Sequence, residues 1–361
     1  MKRYKMFLTI KDNSERVKMK NLNVEMLDCT LRDGGYVNNW RFSGDFITEI
    51  TNALIESGIE NIECGYFVKE KKDDIYGALF NDLDLSKNKH NFKHSKSNFF
   101  AMIDVAQVKP NDIPLYNGQL INTLRVVFYK HQIDIALPLI KDILDKGFKV
   151  FVQPMVTIDY SEDDFIELLT KIDSRISAVS IVDSFGNITK EEILKYLDIL
   201  NKTLNLSIGI GIHLHDNLEK SVLLLNSFLE QAALIKCERK LFIDSSLGGM
   251  GRGAGNLKTE VLAEFLNTLY STEKYNIFSL LNCVDKHILP LKNMHFWGSD
   301  PFSKITSILN VHPNYAKFIR IIDPNISVEQ FVEFIKNMPE KYRTLCRLEI
   351  TRELYEGVIN K

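Results

Sequence analysis

The stretch SIGIGIHLHDNLEK, residues 207–220, opens as an alternation of apolar residues and glycine and ends in two histidines two positions apart. In an extended chain, residues i and i+2 share a face. His213 and His215 therefore aim at one point beyond the strand's carboxyl end, with Asp216 and Asn217 directly after them. Two imidazoles in that place are either the polar edge where a strand meets a loop or one corner of a metal or substrate site. The rest of the chain has to separate the two.

Seven further runs resemble this one: VEMLDCT from Val24, IENIECGYF from Ile59, NFFAMID from Asn98, NTLRVVF from Asn122, KVFVQPMV from Lys149, ISAVSIVDS from Ile176 and KLFIDSS from Lys240. Amphipathic segments lie between most of them, at 43–58, 132–147, 189–204 and 217–234, with apolar residues three and four apart. The third opens with TKEE, the spacing of a capping box. Eight strands alternating with helices predict a closed (β/α)8 TIM barrel of the α/β class over residues 23–270. An open doubly wound sheet fits less well, because the first strand runs into RDGGY and not into a G-x-G-x-x-G turn. Residues 1–22 read as an N-terminal extension, and 67–97, rich in Lys, Asp, Asn and Ser, as a long solvated loop. From 271 to 361 the rhythm breaks into a smaller helical C-terminal region packed on the barrel, its clearest helices at 327–338 and 348–359.

Composition narrows the function. The chain has 361 residues, 45% hydrophobic and 25% charged, with a net charge of -2, so nothing in its charge points to nucleic acid or a membrane surface. No apolar run approaches the ~20 residues that span a bilayer. The apolar core MFLTI near the N-terminus is too short for a secretion signal, which makes the cytoplasm the expected location. Five scattered cysteines without a CxxC pair argue against a disulfide framework or a structural zinc site. Cys29 and Cys64 sit inside strands and read as core.

Barrel enzymes collect their chemistry at the carboxyl ends of the strands. Here those ends carry Arg32-Asp33 after the first strand, Glu63 on the second, Gln153 and Thr157 after the fifth, Asp183-Ser184 on the sixth and the histidine pair on the seventh. The eighth supplies Asp244 and the glycine-rich SLGGMGRGAGN, which closes at Asn256. Two imidazoles with carboxylate oxygens suit a divalent metal with open positions, Mn2+, Mg2+, Co2+ or Zn2+. Such a metal can chelate a 2-oxo acid and stabilise its enolate, and an adjacent arginine reinforces that charge. The glycine loop leaves room for backbone amides to approach a ligand.

Taken together, LDCTLRDGGY, HLHDN and SLGGMGRGAGN resemble the DRE-TIM metallolyase superfamily, and VDSFGN and FVQPMVT add a likeness to its 4-hydroxy-2-oxovalerate aldolase group. The resemblance implies that Asp33, His213 and His215 hold the metal, Mn2+ or Mg2+ before Co2+ or Zn2+, with Asn256 as a weaker ligand. It implies that Arg32 stabilises the enolate and that Ser184 lies near the oxo-acid carboxylate; Thr157 and Glu63 are further candidates for substrate binding. Two departures stand out. The aldolases' acid/base histidine is here Tyr36, and a phenol does that work only with the metal or Arg32 beside it. The aldolases' C-terminal tyrosine corresponds to Phe302, with Tyr315 as a substitute.

The implied activity is a metal-dependent carbon–carbon lyase acting on a 4-hydroxy-2-oxo acid, with pyruvate as one half. The alternative is an acyl-CoA-dependent Claisen condensation of the isopropylmalate or homocitrate synthase type, although those synthases usually carry more C-terminal sequence. Metal-dependent amidohydrolases place their H-x-H pair on the first strand, and a non-catalytic barrel would not need a full ligand set. The family likeness also implies a homodimer and an aldehyde dehydrogenase partner, neither of which any residue here identifies.

Overall fold

The structure, a computed structural model, describes residues 19–70, 77–83, 95–344 and 346–359. Its strands are β1 (Asn23–Asp28), β2 (Asn61–Phe67), β3 (Leu79–Phe80), β4 (Asn98–Asp104), β5 (Ile121–Phe128), β6 (Lys149–Pro154), β7 (Ala178–Asp183), β8 (Gly209–Leu214) and β9 (Lys240–Ser245). They run in the order β1-β9-β8-β7-β6-β5-β4-β2-β3, and β1 pairs with β2 through Leu27 with Asn61 and Asp28 with Ile62 to close the ring. Eight strands thus form the expected parallel barrel. The extra one, β3, lies beside the end of β2, Tyr66 opposite Leu79 and Phe67 opposite Phe80. It comes from the segment read as loop, of which residues 71–76 and 84–94 lie outside the described residues, as do residues 1–18 of the expected N-terminal extension.

The helices follow from local chemistry. α1 (Gly44–Glu56) starts where the Ser43 hydroxyl accepts a hydrogen bond from the Phe46 amide. α2 (Ile133–Asp145) and α3 (Glu162–Lys171) follow β5 and β6. α4 (Lys190–Thr203) opens on the predicted box, Thr189 accepting from the Glu192 amide while the Thr189 amide donates to the Glu192 carboxylate. α5 (Ser221–Leu234) begins four residues later than the periodicity suggests. Glu219 there takes a left-handed backbone, and Asp216 accepts from the Ser221 amide, so residues 217–220 form a turn. α6 (Thr259–Tyr270) completes the set.

The barrel interior is layered, as the inward alternation of parallel strands requires. Phe100, Phe151 and Phe242 plug it with edge-to-face rings 4.7–5.0 Å apart. One step further along the strands comes a polar layer that includes Glu63, Arg125, Gln153, Ser180 and Asp244, all buried. The main hydrophobic core continues through Tyr275, Leu280, Ile288 and Trp297. Phe302, Val311, Tyr315, Phe331, Phe334 and Tyr355 build a second cluster. This C-terminal region leans over the rim at the carboxyl ends: Ser299 donates to the Asn217 carbonyl at 2.9 Å, Ser307 to the Phe185 carbonyl at 2.7 Å, and Asn187 to Asn310 at 2.9 Å. Among the described residues no helix is long and apolar enough to cross a membrane.

Candidate active site

At the end of β8 the alternation brings His213 and His215 to one face, their Nε2 atoms 3.3 Å apart. The turn after β1 folds back on itself, the Asp33 amide donating to the Cys29 carbonyl at 2.8 Å, and sets the Asp33 carboxylate beside them. Ligand atoms of Asp33, His213 and His215 lie within 4.8 Å of one another, and all three residues are buried. The loop after β9 contributes Asn256, which donates to Asp33 Oδ2 at 2.7 Å and faces His215 across an antiparallel bridge. Gly251 explains part of the loop's composition, since a Cβ there would stand 2.6 Å from Asp33 Oδ2 and 2.5 Å from the Asn256 amide nitrogen. Five of the loop's amides are turned to the chain itself. Those of Gly249, Met250, Gly255 and Asn256 donate to carbonyls within residues 246–256, and that of Gly248 to Glu260.

The donor set suits a divalent cation. Burial alone would raise the Asp33 carboxyl, but the Arg32 guanidinium, and after it the two imidazoles, hold it well below the usual carboxylate range. Burial, then the neighbouring His213, pushes His215 well below the usual imidazole range, so its ring is neutral. The two imidazole nitrogens, 3.3 Å apart, are close to the spacing of about 3 Å that neighbouring ligands of one ion bonded at ~2.1 Å adopt. The side-chain oxygen of Asn256 is buried beside them and has no partner among the described residues.

Beneath the ligands runs a closed circuit of charge. Arg32 donates to Asp33 Oδ1 at 2.6 Å and to Glu63 Oε2 at 2.7 Å. Arg125 donates to the same Glu63 oxygen at 3.0 Å and to Asp244 Oδ2 at 2.5 Å. Asp244 Oδ2 lies 2.9 Å from His213 Nδ1, which returns the circuit to the histidine pair. Three carboxylates and two guanidiniums leave one net negative charge, which favours a cation at the ligands.

A cavity of about 50 Å³ opens over this group, room for a few water-sized groups. Arg32, Asp33, Tyr36, Ser184, His213 and His215 line it. Three other expected site residues do not, Asn256 among them although it touches Asp33. The Thr157 hydroxyl is spent between the Pro154 carbonyl and the Val182 amide, and Glu63 lies in the charge circuit beneath. Phe302 stacks on Phe331 at 4.7 Å, and the Tyr315 hydroxyl donates to the Tyr342 carbonyl, so neither lines the cavity. The second phenol comes instead from Tyr66, whose hydroxyl is 3.1 Å from that of Tyr36. Arg125, Tyr66 and Arg252 escaped the sequence reading. Arg125 had a signal, a lone charge inside the apolar run NTLRVVF.

No protein-family model matches the chain. Over 245 residues it is 26% identical to oxaloacetate decarboxylase of Mycobacterium tuberculosis, an alignment covering 67% of this chain and 69% of that protein. It is 24% identical over 283 residues to a 4-hydroxy-2-oxovalerate aldolase of Bacillus cereus, covering 77% and 78%. The N-terminal domain of a proposed aldolase from Bacteroides vulgatus superposes with a TM-score of 0.69 at 29% identity, over 82% of this chain and 96% of that one.

Proposed function

We propose that the chain is a member of the DRE-TIM metallolyase superfamily and a divalent-metal-dependent aldolase that cleaves or forms a 4-hydroxy-2-oxo acid. The observation that carries the reading is the meeting of one carboxylate and two imidazoles beside a buried arginine at the mouth of the barrel. In cleavage the C3–C4 bond breaks, the C4 hydroxyl gives up its proton as the aldehyde forms, and the electron pair stays on the pyruvate half as an enolate. Asp33, His213 and His215, with Asn256 beside them, would hold Mn2+ or Mg2+, which when bound supplies Lewis acidity to the oxo acid's oxygens. Arg32 spends one donor on Asp33 and one on Glu63, and its remaining N–H groups stabilise the enolate's charge. Glu63 and Arg125 keep that guanidinium in place. Tyr36, hydrogen-bonded to Tyr66, stands where the hydroxyl proton has to go. Ser184 lies near the oxo-acid carboxylate. The same reading takes the protein as a cytoplasmic enzyme, with the homodimer and the dehydrogenase partner as expectations of the family likeness.

The test is proton exchange. Metal-stripped protein resupplied with Mn2+ or Mg2+ exchanges the pyruvate methyl protons in D2O, followed by NMR, and Asp33→Asn abolishes the exchange. Bound metal without exchange in the wild type would overturn the pyruvate half. Tyr36→Phe lowers the cleavage rate by about 10²-fold or more and leaves metal affinity within about twofold, as read by calorimetry. Unaltered cleavage in that variant would remove Tyr36 from the mechanism.

A further inference from the structure

The two arginines that line the cavity differ in how they are used. Arg32 is bound to two carboxylates. Among the described residues Arg252, in the glycine loop, makes a single hydrogen bond, from Nη2 to the Ser184 carbonyl at 2.8 Å, and its buried Nε has no partner. Among the described residues, no carboxylate forms an ion pair with it. A guanidinium offers five donors in a fixed fork that matches a carboxylate, so a half-buried one facing a cavity with most of its donors unspent is set up for an anionic oxygen from outside the chain.

Its position says which part of a substrate would supply that oxygen. The Arg252 guanidinium carbon lies 5.8 Å from the centre of the Tyr36 ring, on the side where the C4 hydroxyl is expected, whereas Arg32 stands at the Asp33 carboxylate. An aldehyde half ending in a methyl group would leave the guanidinium unanswered. A carboxylate on that half would answer it, its two oxygens matching the planar fork of the guanidinium. Resting on the aldolase reading, we propose that Arg252 is a specificity-determining residue and that the substrate is a dianionic 2-oxo acid with a second carboxylate beyond C3.

Two five-carbon probes test this by binding alone: 2-oxoglutarate and 2-oxovalerate share the 2-oxo-acid head and differ in a terminal carboxylate against a methyl group. Calorimetry on the Mn2+-loaded protein is expected to give 2-oxoglutarate an affinity about 30-fold or more above that of 2-oxovalerate. Arg252→Gln brings the ratio below about 3-fold by weakening the dianion, and Arg252→Lys keeps part of the preference. Equal affinities in the wild type overturn the proposal. So does an equal weakening of both probes in Arg252→Gln, which would put the guanidinium on the shared carboxylate. The aldolase reading fails separately: if pyruvate exchange is absent while the affinity contrast holds, the retro-aldol chemistry falls and the anion site stands.

Discussion

Asp244 decides which nitrogen of His213 is free. With its Oδ2 2.9 Å from Nδ1, the ring carries its proton there and presents a bare Nε2 to His215 and Asp33. Burial alone would raise the Asp244 carboxyl; Arg125, then His213, outweigh that and keep it low enough to stay ionised. One buried carboxylate thereby sets a metal ligand's tautomer and anchors the arginine that, through Glu63, steadies Arg32. Asp244→Asn removes the charge and lets the amide offer N–H where an acceptor is needed. Mn2+ affinity measured by titration calorimetry is expected to fall by roughly 10–100-fold. An unchanged affinity would mean that the imidazole is oriented by something other than this carboxylate.

Among the elements, β2 was the hardest to read. Regular alternation from Glu63 turns Gly65 inward and Tyr66 outward. The register against β4 shifts between Glu63 and Tyr66, and Gly65 takes φ +145°, a bulge that re-aims Tyr66 into the cavity. No periodicity announces a bulge, so Tyr66 was invisible while the histidine pair on regular β8 was plain. Arg252 was hidden for a related reason, since a loop has no period from which its direction can be derived. The strands themselves were legible because parallel strands covered on both faces read as apolar runs, and α4 because its cap is written in Thr189 and Glu192. The charge circuit was half legible: Glu63 and Asp244 stood out at strand ends, but their pairing with Arg125 needed three strands brought together. Gly65→Ala tests the bulge. A Cβ there would lie 2.0 Å from the Ala78 carbonyl oxygen in a backbone region that alanine avoids. Urea unfolding is expected to show a loss of about 3 kcal/mol, and a loss under about 0.5 kcal/mol would contradict the bulge.

At the scale of the whole molecule, buried titrating groups shape stability against pH. Burial raises the Asp183 carboxyl from 3.8 to about 7, against the opposing hydrogen bonds from the Ile188, Asn187 and Gly186 amides. Asp28 is raised to about 6, again by burial, against hydrogen bonds from Thr259 and Thr30. Between pH 4 and 7 the folded protein holds the Asp183 proton while the unfolded chain releases it, so this group's contribution to stability declines as pH rises through that window and levels off above about 7. Burial also keeps His215 and His312 neutral, and they act in the opposite sense. The unfolded imidazoles take up protons below about 6.5 and the folded ones do not, so stability is lost as pH falls through that value. The metal-free wild type is therefore expected to have a broad, flat stability maximum between these limits. Asp183→Asn keeps an acceptor for the turn's amides and cannot ionise, which removes this residue's decline and leaves the slopes of Asp28 and the histidines. Its stability relative to wild type should rise from pH 4.5 to 7.5 by about 3 kcal/mol, measured by urea unfolding of chelator-treated protein at unit intervals. Parallel curves for the two proteins would mean that Asp183 is already ionised inside the fold.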